Sequence, residues 1–185
     1  MKHFFRILII VIFISLISLM IYGTTQQMLR LGANEPQVQL SEDTANKLNG
    51  GLSVKSINLP EKVEISQSLS PYIIILDQNK KVLSSSATLN GIVPVIPSGI
   101  FDSVAKNGEE RVTWQPQPGV RQAIVVNKYS DGSLNGFVVA GRSLRETEFL
   151  IDKLGRDIFV GWIAINLFAI VSYSIICSSF FKDRN

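Results

Sequence analysis

The residues able to do chemistry are few, and most stand in the wrong place for it. The single histidine is His3 and the single cysteine is Cys177, one near each end of the chain. A Ser-His-Asp or Cys-His nucleophilic site has no histidine in the polar middle to be built from. A zinc-type His/Cys cluster fails on the same ground. No P-loop and no Gly-x-Gly-x-x-Gly segment occurs. The acids Glu109 and Glu110 could serve acid–base chemistry or calcium. As neighbours they project apart, and they follow a turn signal at Asn107-Gly108, which fits solvated charge. The sequence therefore predicts no enzyme, no cofactor and no metal site.

The elements around this sparse chemistry explain its placement. Residues 7–22 and 158–181 carry no charge, and they raise the mean hydropathy to +0.25. At about 1.5 Å per residue the second block exceeds a hydrocarbon core of about 30 Å. The first has a basic start, Lys2 and Arg6, like a signal peptide, but no Ala-x-Ala-like cleavage site follows it. An uncleaved anchor is the favoured reading. Lys2, Arg6, Lys182 and Arg184 against Asp183 account for the net charge of +3, and 24–157 is neutral. The basic excess is thus a topology signal, not a nucleic-acid footprint. The expected organisation is a cytoplasmic 1–6, a span at 7–23, an extracytoplasmic domain at 24–157, a span at 158–181 and a cytoplasmic tail at 182–185. With one cysteine no disulfide can form within the chain, so the domain must rely on its core.

Within 24–157 the first helix continues through Thr24–Leu31. Asn34-Glu35-Pro36 restarts it, and Asn49-Gly50-Gly51 stops it. Residues 60–70 are ambiguous, with a short helix one reading near 61–65. Residues 71–77 form a short apolar run suited to a buried strand. Gln78-Asn79-Lys80 turns, and 81–87 returns as a hairpin. A short helix is predicted at 99–106, capped by Ser98. Strands follow at 111–115, 120–129 and 134–141, the last two joined at Asp131-Gly132. Ser143 and Glu146 then make a capping box for an exit helix. The fold class is α+β, a five-stranded antiparallel sheet with flanking helices between two transmembrane helices.

The strand ending in Asp77, its polar turn and Lys81-Val82-Leu83-Ser84-Ser85 resemble the hairpin of extracytoplasmic PAS/Cache-type sensor domains. The stretch from Phe137 to Glu146 resembles their last strand and exit helix. Asn79-Lys80 replaces the usual turn glycine, and no output domain follows the second span. The resemblance implies fold and topology in a bacterial inner membrane, both termini cytoplasmic. It implies a ligand pocket between the sheet and its covering loops, with Trp114, Arg121, Tyr129 and Tyr72 as candidates and 94–99 as lid. Two of these have bland readings: Trp114 as ordinary packing, and Arg121 as a surface ion pair instead of a bidentate carboxylate clamp.

Leu144, Thr147, Ile151, Leu154 and Ile158 are spaced as an a/d seam running towards the second span. Either two copies pair along it, or it packs within its own chain. Asn166 is polar in mid-span, able to bond another helix or to satisfy itself locally. The expected function is a membrane-anchored sensory or ligand-binding module without catalysis, working with the bilayer, a homodimer partner or a separate membrane signalling protein, and not with nucleic acid. The alternative is an adaptor using a ligand-free domain as a docking surface. A sensor predicts convergent polar groups in a pocket. An adaptor predicts a filled core and an exposed apolar or strand-edge patch.

Overall fold

The computed structural model describes residues 2–130 and 135–182, and side chains for 3–130 and 135–176. The turn at Asp131-Gly132 and the Cys177 side chain lie outside the described residues. The chain divides into a helical unit, residues 1–30 with 149–185, and a sheet unit, residues 31–148.

The helical unit pairs most of α1 (Lys2–Gly32) with most of α4 (Arg145–Lys182). Both helices are long and apolar enough to cross a membrane. They run antiparallel. The His3 ring nitrogen meets Tyr173 Oη at 2.9 Å, Trp162 Nε1 donates to Ser15 Oγ at 2.9 Å, and Tyr22 lies against Gly155. The apolar side chains that cover this pair on the outside are exposed, Ile9, Phe13, Leu19, Phe168 and Ile175 among them. That is the arrangement an apolar solvent favours.

The sheet unit is α+β, as expected. Its five-stranded antiparallel sheet has the order β3-β2-β7-β6-β5. These strands are β2 (Tyr72–Asp77), β3 (Val82–Ser85), β5 (Glu109–Gln117), β6 (Val120–Ser130) and β7 (Asn135–Ser143). β7, the last in sequence, lies in the middle. Residues of β2 and β7 are buried on both faces, which is why their sequences read as continuous apolar runs. One face packs under Phe101 and Val104 of α3 (Ser98–Asn107), with Ile74, Leu76, Ile124, Val126 and Val139 in the same cluster. The other packs under α2 (Glu35–Asn49), where Ala45 and Leu48 meet Ile73, Ile75 and Val138.

Four local expectations change. Ser98 does not cap α3: the helix includes Ser98, Pro97 stands at the N-cap, and no side-chain cap bond forms. Residues 61–65 are not helical: β1 (Val63–Glu64) pairs in parallel with β4 (Ala87–Thr88) in a small second sheet. The capping box does not form. Ser143 stays in the ladder opposite Gln122, so α4 starts later, and Glu146 pairs with Arg142 at 2.7 Å instead of reaching back to a backbone N–H. The β2–β3 turn lacks glycine, yet Lys80 takes φ 66 there. Asp77 stabilises that turn, its carboxylate accepting from the Asn79 and Lys81 N–H groups at 2.8 and 2.9 Å.

Candidate functional site

The four candidate ligand residues do not converge. Tyr72 and Trp114 lie in the cluster under α3, on one face of the sheet. Tyr129 lies on the opposite face, in the cluster under α2, where its hydroxyl donates to Leu76 O at 3.2 Å. Arg121 is exposed at the start of β6 and pairs with Glu148 in the first turn of α4. Its geometry is that of the surface ion pair. Trp114 is buried as core packing would have it. The loop expected as a lid does lie on the Tyr72 face, with Ile96 buried in that cluster and Val95 turned to solvent.

Two polar groups on that face stand apart from the rest. Tyr72 Oη and Gln122 Oε1 are buried without a hydrogen-bond partner. A buried polar group left unpaired costs about 1–3 kcal/mol, so each such atom calls for an explanation. Burial also pushes the Tyr72 hydroxyl well above its usual range, so it stays protonated and neutral. Gln122 was not among the candidates. It belongs to the row Trp114–Gln122–Ser143, and Tyr72 to the next row, Tyr72–Gly141–Ile124–Val112.

The close approach at Gly141 fixes the tyrosine. A Cβ on that glycine would come within 2.3 Å of Tyr72 Cζ and Oη, so the ring lies across β7 in the direction of β6. Strands are spaced about 4.8 Å apart. The hydroxyl over β7 is therefore about one strand spacing from the strand that carries Gln122. The same device recurs at the other end of β7 and on the other face, where Gly136 lies under Tyr129.

The segment between β1 and β2 closes this end of the sheet. Ile65 packs in the Tyr72 cluster, and its carbonyl accepts from Gln122 Nε2 at 3.0 Å. Two arginines fasten the segment from outside. Arg142 Nε donates to Leu69 O at 3.0 Å, and Arg145 donates to Gln67 O at 2.5 Å. Arg142 stands one residue before the end of β7, and Arg145 begins α4. The cover of the Tyr72–Gln122 end is thus held at the junction of β7 with the exit helix.

Glu64 anchors the other side of the segment. Its carboxylate accepts from Ser66 Oγ at 2.8 Å and from the Asn90 and Gly91 N–H groups at 3.1 and 3.5 Å. The Ser66 hydroxyl, then these two amides, outweigh desolvation and hold the carboxyl below its usual range.

No family model, curated protein or solved structure matches the chain.

Leu144 and Thr147 in the sheet unit, and Ile151 and Leu154 in the helical unit, are each half-buried within a single chain. Asn166 is buried. Its Nδ2 satisfies itself locally on Trp162 O at 2.7 Å, while Oδ1 has no partner. An open groove of about 340 Å³ runs beside α2 and Arg111, and none of the candidate ligand residues lines it.

Proposed function

We propose that this chain is a membrane-anchored extracytoplasmic binding module of PAS/Cache-like type, in which a ligand is sensed by the segment at 65–70 and the change is carried by α4. One observation carries this reading. Arg142 and Arg145, at the junction of the central strand with the exit helix, hold the carbonyls of Leu69 and Gln67 in the segment that covers two buried unpartnered polar groups. Whatever displaces the segment acts on the start of α4, which runs without interruption to Lys182. The positive-inside pattern of Lys2, Arg6, Lys182 and Arg184 supports an outer location for the sheet unit.

Amide hydrogen exchange on the full chain in lipid nanodiscs tests the coupling. Replacing both arginines by glutamine should raise exchange in the segment at 65–70 and in the first turn of α4 together. Faster exchange in the segment with an unchanged α4 would remove the relay.

The adaptor reading keeps one observation of its own. Both faces of the sheet are filled, and Val82 and Leu83 are exposed on the edge strand β3. Photo-crosslinking from position 83 in membranes would favour that reading if it captured one membrane partner in place of water.

A further inference from the structure

Resting on the reading above, we propose that Tyr72 Oη and Gln122 Oε1 bind a small uncharged ligand bearing a hydrogen-bond donor next to an acceptor, as in a primary amide. Both residues are 1% exposed, and both atoms lack a partner. They occupy the same face in adjacent rows, with β7 between their strands. Gly141 leaves room for the Tyr72 ring to lean towards β6. The Gln122 amide cannot turn over without loss, because its nitrogen is spent on Ile65 O. Its oxygen is therefore a fixed acceptor. The tyrosine hydroxyl can donate or accept, so the pair offers both halves of amide recognition.

Charge argues for a neutral ligand. The other buried residues of that cluster are all apolar, Ile65, Ala87, Trp114, Val120 and Ile124 among them. An ion between Tyr72 and Gln122 would meet no counter-charge among them. Glu64 is engaged by Ser66, Asn90 and Gly91, and Arg142 and Arg145 are spent on carbonyls. The Tyr72 hydroxyl, its ionisation opposed by burial, adds no charge of its own. Size follows from packing. The face is otherwise filled, so the ligand has few heavy atoms, or it lifts the segment at 65–70 and breaks the arginine bonds.

The test is thermal melting of the full chain in nanodiscs, in a series of acetamide against sodium acetate at equal concentration, with amide exchange at 67–70 followed in parallel. Acetamide should raise the midpoint saturably and acetate should not. Tyr72→Phe, which keeps the ring over Gly141, and Gln122→Leu should each abolish the acetamide shift. Should Gln122→Leu fail to melt cooperatively, Tyr72→Phe decides alone. No acetamide shift, an equal acetate shift, or a shift surviving Tyr72→Phe overturns the site. Failure of the wider reading looks different: a shift that needs Tyr72 but leaves exchange at 67–70 unchanged keeps the site and removes the relay.

Discussion

The Tyr72 ring lies across Gly141 of the neighbouring central strand, in contact so close that a Cβ there would be 2.3 Å from both Cζ and Oη. The strand partner of Tyr72 is thus a glycine because the ring needs the space, not because β7 needs flexibility. Gly141→Ala should destabilise the sheet unit by about 1–3 kcal/mol, the usual range for overpacking a core. Chemical denaturation of the full chain reads the loss. Combining it with Tyr72→Ala should recover part of it, since the two positions share one volume.

The arginine bonds to the segment at 65–70 are exposed, and exposed charge-assisted contacts contribute little to global stability. Arg142→Gln with Arg145→Gln should lower stability by under about 1 kcal/mol. Local opening should respond far more than the global midpoint. A global loss of several kcal/mol in the same denaturation experiment would mean that the arginines hold the core instead of its cover.

Glu64 predicts a pH dependence of definite sign. Its folded pKa lies below the usual 4.5. Its stabilising bonds from the Ser66 hydroxyl and from the Asn90 and Gly91 amides are therefore fully present above the unfolded value. They are lost as pH falls from about 4.5 through the lower folded value. NMR amide signals of Asn90 and Gly91 should shift across that acid window and return on neutralisation. Glu64→Gln should flatten the response.

The helix pair carries two polar groups of opposite expected sign. Trp162→Phe removes the bond to Ser15 Oγ and should weaken the α1–α4 pair by about 0.6 kcal/mol, the average for such bonds in membranes. Asn166→Leu removes an acceptor that has no partner, so it should be neutral or stabilising. Unfolding in bicelles would measure both. A clear loss in Asn166→Leu would show that its oxygen finds a donor in the assembled protein.

Much of the sheet unit was legible in alternation and punctuation. The hairpin at Asp77, the stop at Gly108 and the three long strands stand where residue type demands. Residues 61–65 misled because a two-residue strand is set by its tertiary partner, Ala87–Thr88, and leaves no period to read. The capping box misled because Ser143 belongs to the β6–β7 ladder, with its Oγ accepting only from the Arg145 N–H, and Glu146 turns to Arg142. Of the candidate residues, Tyr72 and Trp114 share a face while Tyr129 and Arg121 do not. Strand parity could have separated Tyr129, since it is an odd number of residues from Ile124 along β6. The same parity marks Gln122 as a polar side chain on an apolar face between Val120 and Ile124. Its lack of a partner depends on which carbonyl the β1–β2 segment brings over it, and no local pattern encodes that.

Strand order has a consequence for how the chain is made. β2 emerges early, but its central neighbour β7 ends only at Ser143. Until then the sheet has no middle, and the apolar strands β2 and β6 have no common partner to shield them. Pairing of Tyr72 with Gly141 joins residues far apart in sequence, a slow step in any chain dominated by non-local contacts. The sheet unit therefore completes itself only as α4 begins to be synthesised, so the act that closes the sheet also sets the starting point of the helix that leaves it.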